Sequence, residues 1–303
     1  MQKDVNIGEI KPNTVLVVAG PTASGKSALA IELALKYNGV IINADASQVY
    51  KDIPIISAAP DDDDKAKVGH LLYEILDADE KNTVSDWVKL AVDAIKKVWQ
   101  QGKLPIVTGG TGFYIESLIN GMSPIPETKD KTKNKVSMIF DKVGVEGAYK
   151  YLQQIDSEGA KKVNPNDTTR VRRALEIFED TGTSIAEWFE KPMIKPLEEA
   201  EFKVVLLLPK LSGLEEKCSK RFDVMIENGA LEEVEKLLSK NIANDMPVMK
   251  AIGVPELRKY IEGKISKDEA INEAKLRTRQ YAKRQLTWFR NRFRKLDCEQ
   301  IVF

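Results

Sequence analysis

Residues 15–30 read VLVVAGPTASGKSALA: an apolar run, a glycine-rich loop and a stretch with helical apolar spacing, in direct succession. The loop, Gly20 to Ser27, fits G-x-x-x-x-G-K-[ST], and its setting between a predicted strand and a predicted helix is the context that gives the pattern meaning. Successive backbone N–H groups and the N-terminus of the following helix form a nest for an anion. Lys26 adds a point charge, and the Ser27 hydroxyl can ligate Mg²⁺. A polyphosphate ligand follows from such a loop; the reaction does not.

Two further apolar runs, GVIINAD and LPIVTGG, are each bounded by turn residues, and segments with helical spacing such as SALAIELALKY and FYIESLI alternate with them. That alternation implies a parallel sheet covered by helices. Another buried strand is predicted at FKVVLLLP, 202–209, after a helical, charged region that opens on SPIPE and closes on KPMIKPLEE. The expected architecture is α/β. A P-loop NTPase-like parallel sheet core spans 1–122 and 200–303, with a helical insertion domain at 123–199 and a helical C-terminal region.

Lys and Arg number 46 against 46 Asp and Glu, so net charge gives no hint of a nucleic-acid partner and any such partner must meet a local patch. From Lys275 to Lys295 nine of 21 residues are Lys or Arg and none is acidic, with Tyr281, Trp288 and Phe289 interleaved. The aromatics read as core and the arginines as a face for a phosphate backbone. Cys218 and Cys298 are too few and too far apart for a disulfide framework or a zinc site. No window approaches 18 consecutive apolar residues, and the expected location is the cytoplasm, away from membranes.

Hydrolytic NTPases place a second acid at a strand end to hold Mg²⁺ and position water. Here IVTGG ends in Thr108, Gly109 and Gly110, and VVLLLP ends in Pro209, so neither strand offers a carboxylate. The acid in such a place is Asp45, in NADASQVY, which reads either as a turn former or as a base or metal-shell ligand beside the loop. Thr111, in GGTGFY, can donate a hydrogen bond from a turn whose glycines admit a ligand closely. The run DDDDK, 61–65, reads as a solvated loop, and the single histidine, His70, as a structural hydrogen-bonder.

Taken together, GPTASGKS, Asp45 with SQVY, TVSDW at 83–87, GGTGFYIESLINGMSPIP, NPNDTTRVRRALEIFEDTG and RTRQYAKRQLTWFR cover almost the whole chain in order, and in these the chain resembles the tRNA dimethylallyltransferases, or tRNA isopentenyltransferases. The resemblance implies transfer of a dimethylallyl group from dimethylallyl diphosphate to N6 of the adenine immediately 3′ of the anticodon, with Mg²⁺ and release of diphosphate. Gly20, Pro21, Thr22, Ala23, Ser24, Gly25, Lys26 and Ser27 would then hold the donor diphosphate, with Ser27 on the metal. Asp45 would be the base, Thr111 would bond the reacting end of the donor, and Arg221 would steady the leaving group. Contacts to the tRNA anticodon stem-loop are implied for Asp45, Ala46, Ser47, Gln48, Thr111, Lys133, Thr169, Arg170, Val171, Arg172 and Arg173. The enzyme is expected to be a monomer.

The chain departs from the family pattern at several positions. Ala46 stands where a serine is usual, Ile56 and Ala59 replace a Gly and a Lys, Lys133 replaces an Arg, and Leu71 stands where a second His is common. Two alternatives remain at this point: prenylation of free AMP, and a P-loop small-molecule kinase. The insertion and the basic C-terminal segment favour a macromolecular acceptor.

Overall fold

The computed structural model describes residue 5, residues 7–296 and residues 299–302, of which residue 294 and the last four are described by backbone alone. Cys298 lies outside the described residues. Two compact units make up the chain: Gly121–Lys195, and the remainder.

The larger unit begins β1 (Thr14–Ala19), α1 (Lys26–Tyr37), β2 (Gly39–Asn43), α2 (Pro54–Ser57), α3 (Asp62–Lys67), β3 (His70–Leu71), α4 (Val84–Gln100), β4 (Leu104–Gly109) and α5 (Gly112–Asn120). The insertion holds α6 (Asp130–Ile155), α7 (Ser157–Lys161), α8 (Thr168–Thr181) and α9 (Ile185–Glu190). The larger unit resumes with β5 (Glu201–Leu206), α10 (Leu211–Glu227), α11 (Ala230–Ser239), α12 (Val254–Ile261), α13 (Lys267–Arg292) and β6 (Glu299–Val302).

The six strands form one parallel sheet in the order β3-β2-β4-β1-β5-β6. β1 and β4 are buried along their whole length because helices cover both faces. Four strands were expected; β3 and β6 are additional. Both are edge strands, and β3 pairs through only Ile41 with His70 and Ile42 with Leu71, too short a run to leave an alternating pattern. The DDDDK run is not a loop. Asp61 caps α3 by accepting from Asp64 N at 2.8 Å, and Asp62 to Asp64 fill its first turn, where acidic residues suit the helix dipole.

Sheet order puts β1 between β4 and β5, so the loops that leave the C-terminal ends of β1, β2 and β4 lie side by side. α4 fixes the β2 end. A reciprocal cap between Thr83 and Asp86 starts the helix, and the Trp87 indole donates to Asn43 O at 2.8 Å.

In the insertion, Val136, Phe140, Leu152, Val171, Leu175 and Ile177 form the core between α6 and α8. The two ends of this unit meet. Met122 N donates to Ile194 O at 3.2 Å and Ile194 N returns a bond to Met122 O at 2.9 Å. Gly121 has φ +86°, and a Cβ there would lie 2.2 Å from Ile194 O, so only glycine lets the two ends close.

Candidate active site

The phosphate loop is built by close approach. A Cβ on Gly20 would meet Ser24 Oγ at 2.8 Å and Leu207 O at 3.0 Å, and Gly25, at φ +91°, turns the chain into α1. The first N–H groups of α1 have no intrahelical acceptor and face the nest. Lys26 is buried, with Nζ 3.4 Å from Pro21 O. Burial pulls its pKa down to about 8; Asp45 works against the shift and Arg221 adds to it. Ser27, the second residue of the helix, is exposed.

The turn after β2 is held from both sides. Asn43 Oδ1 accepts from Asp45 N at 2.8 Å while Asn43 Nδ2 donates to Asp45 O at 3.0 Å, and Asp45 Oδ1 accepts from Ser47 N at 3.0 Å. The turn after β4 joins it. Thr111 Oγ1 accepts from Ala46 N at 3.0 Å and Thr111 N donates to Ala44 O at 3.2 Å. Because the N–H of Ala46 occupies a lone pair of Thr111, the threonine hydroxyl proton is left to donate elsewhere. Ala46 thus contributes through its backbone. A Cβ on Gly109 would fall 2.1 Å from Ala44 O, which is why the β4 end is glycine.

Gln48 turns inward, donating to Ser57 O at 3.1 Å and Ala58 O at 2.6 Å. Arg221 Nη2 reaches the same Ser57 carbonyl at 3.4 Å, and burial lowers its pKa. Arg221 and Ser57 border a cavity of about 320 Å³ that Asp45 also lines. Asp45, Thr22, Arg221, Lys250, Tyr281 and Arg284 supply its polar lining, and Ile56, Phe222, Met225 and Ile252 an apolar wall. The arrangement offers anion-binding groups, one carboxylate and an apolar surface around a single space. His70 lines a separate small cavity with Ser27, Gln48 and Tyr73; its Nδ1 lies 2.9 Å from Val68 O, and burial lowers its pKa.

Of the insertion residues expected to face RNA, Thr169 and Arg170 are exposed at the start of α8, where Asp167 caps the helix and lies 3.4 Å from Arg170 Nε. Arg172 lies over the Phe140 ring at 4.3 Å, Arg173 donates to Thr128 Oγ1 at 2.8 Å, and Lys133 pairs with Asp130 at 3.1 Å. Val171 is fully buried in the α6–α8 core. Its helical position turns the side chain into that core, so the expectation of a side-chain contact with RNA does not hold for it.

A family model described as IPP transferase matches residues 48–292, and one described as isopentenyl transferase matches residues 13–77. The chain belongs to the IPP transferase family. Curated relatives named tRNA dimethylallyltransferase include one from Zymomonas mobilis, 43% identical over 93% of this chain and 89% of its own length. Another, from a Bradyrhizobium species, is 40% identical over 94% and 93%. Among solved structures, a eukaryotic dimethylallyltransferase described as acting on tRNA superposes with a TM-score of 0.82 at 32% identity, covering 96% of this chain and 74% of that one. The full-length tRNA isopentenylpyrophosphate transferase of Bacillus halodurans gives 0.66 at 31%, covering 96% and 90%.

The cavity of this IPP transferase also contains residues that sequence reasoning missed. Lys250, Ala251 and Ile252 reach it through a 3-10 turn, Val248–Lys250, and Gly253 at φ +104°. Gly253 was the available signal, since a Cβ there would meet Ile56 Cδ1 at 2.7 Å. Tyr281 and Arg284, expected as an aromatic core position and part of a basic face, also line the cavity.

Proposed function

We propose that this IPP transferase moves the dimethylallyl group of dimethylallyl diphosphate to N6 of the adenine 3′-adjacent to the tRNA anticodon, position 37. The products are N6-(dimethylallyl)adenosine and diphosphate. The observation that carries the reading is one cavity holding the Asp45 carboxylate and the Arg221 cation, beside the phosphate loop, with an apolar wall for an alkyl group.

Lys26 and Arg221 hold the diphosphate and stabilise the charge that gathers on it as its bond to the allylic carbon breaks, a contribution of several kcal/mol when such cations are preorganised. The Thr111 hydroxyl donates to the bridging oxygen at that end of the donor. N6 attacks the same carbon, and its proton passes to Asp45 as the new C–N bond places positive charge on nitrogen. No group of three or more His, Cys, Asp or Glu among the described residues could hold a metal alone. The Ser27 hydroxyl would be the protein ligand of a Mg²⁺ bound with the donor, an ion that would supply charge neutralisation to the diphosphate.

Thr169, Arg170, Arg172, Arg173 and Lys133 meet the phosphate backbone of the anticodon stem-loop, and Asp45, Ala46, Ser47, Gln48 and Thr111 meet the acceptor nucleotide. The enzyme works as a monomer in the cytoplasm. Among the described residues no helix is long and apolar enough to cross a membrane.

Incubation with labelled donor and either unmodified tRNA or AMP, followed by mass spectrometry of nucleosides, tests the reading. Label in tRNA at position 37 is expected. Product from AMP alone overturns it in favour of an adenylate prenyltransferase.

A further inference from the structure

One side chain joins the two turns that hold the proposed chemistry, although it lies more than 170 residues away from either. Gln285, on α13, is 6% exposed. Its Oε1 accepts from Thr22 N, inside the phosphate loop, at 2.9 Å. Its Nε2 donates to Gly110 O, next to Thr111, at 2.8 Å. The two turns follow adjacent parallel strands, β1 and β4, so the amide spans the gap between neighbouring strand ends.

The turn after β4 is shaped to receive α13. A Cβ on Gly110 would fall 2.4 Å from Gln285 Nε2, and one on Gly112 would fall 2.3 Å from the Trp288 ring. Gln285 and Trp288 stand three residues apart, on one face of the helix. Thr22 is gripped from the other side as well, its carbonyl meeting Cys218 Sγ at 3.9 Å from α10.

We propose that Gln285 is a positioning residue: its single amide sets the spacing between the phosphate loop and the Thr111 turn, and so pre-forms the nest that receives the diphosphate. Glutamine is suited to this because the site requires one donor and one acceptor at the same point; glutamate lacks the donor and methionine lacks both. Fixed backbone dipoles need no reorganisation when the anion arrives or when charge grows on it. The link to transfer rests on the proposed function, whereas the link to anion binding does not.

The test uses the full chain with Gln285→Met, close in size and without hydrogen bonds, and Gly110→Ala, which pushes the amide away from the opposite side. Inorganic diphosphate is titrated by calorimetry at a temperature where melts show both variants folded. Dimethylallyl transfer to tRNA and tRNA affinity are measured in parallel. Diphosphate affinity is expected to fall roughly tenfold in both variants, the scale of leaving a buried backbone group unsatisfied. Transfer kcat falls with it, and tRNA affinity stays within about twofold. Diphosphate affinity within twofold of the unaltered protein in both variants, with lowered melting temperatures, makes Gln285 a packing residue and overturns the proposal. Absence of transfer by the unaltered protein refutes the proposed function alone, since the diphosphate titration still decides the role of Gln285.

Discussion

Lys26 should weaken the fold that carries it. In the free protein its ammonium is buried, and its pKa falls from 10.5 to about 8. At 1.36 kcal/mol per pH unit that difference is worth about 3 kcal/mol against the folded state at neutral pH. The sign follows from proton counts. Between pH 8 and 10.5 the unfolded chain binds the proton that the folded chain has lost, so stability rises with pH across that window. Below it the cost is fully present, and above it the cost is gone. Lys26→Met removes the charge and keeps most of the volume, while the bond to Pro21 O, worth about 1 kcal/mol, is lost. The net expectation at pH 7 without ligand is a gain of about 2 kcal/mol, a rise in Tm on the order of 4 °C. The gain fades as pH approaches 10.5. Added diphosphate narrows or reverses the ranking: it stabilises the unaltered protein, whose ammonium gains a partner, more than the variant, which keeps only the backbone nest and Arg221. Melts of both proteins at pH 7 and 10.5, with and without diphosphate, read all of this. A variant no more stable than the parent at pH 7, or equally favoured at both pH values, refutes the reasoning.

Asp45→Asn keeps an oxygen to accept from Ser47 N, so the turn survives while the base is lost; turnover is expected to drop by roughly 10²–10⁴-fold with tRNA affinity retained. Unimpaired turnover excludes Asp45 as the base. Gly112→Ala drives a methyl group into the Trp288 ring and is expected to cost about 1–3 kcal/mol in thermal melts, an effect that an unshifted Tm would contradict. For RNA, log affinity against log salt should be linear, with a slope of about −0.7 for each phosphate contact in single-stranded regions. Arg170→Ala should flatten it by about that amount, and a slope unchanged by the substitution removes Arg170 from the interface.

The phosphate loop, Asp45 and Thr111 were legible because each is announced locally, by a glycine pattern or by an acid placed just after an apolar run. At Val171 helical spacing marks a buried position while the resemblance implies an RNA contact, and the side chain is fully buried. Three arginines and a threonine flank it, yet a helix turns one residue of such a run into the core. Gln285 left no local sign at all. Its meaning comes from bonds to Thr22 and Gly110, formed only when α13 packs on the strand ends, and nothing in RTRQYAKRQLTWFR distinguishes that glutamine from Gln280. The charges of the same segment were legible as charges but not as pairs. Lys275 meets Asp223 and Arg277 meets Glu256, so part of the basic face is neutralised within the protein.

The paired bonds between Met122 and Ile194 bear on how a chain of this length folds. Loop-closure cost grows with the length of flexible chain between two fixed points. The insertion, Gly121–Lys195, folds around its own core and brings its two ends together by those bonds. To the strands on either side, the 75 residues between Asn120 and Pro196 therefore weigh no more in chain entropy than a hairpin would. Insertions or deletions inside that unit can accumulate without disturbing the order in which the strands pair, so the helical insertion is free to vary in length while the turns beside β1, β2 and β4 keep their register.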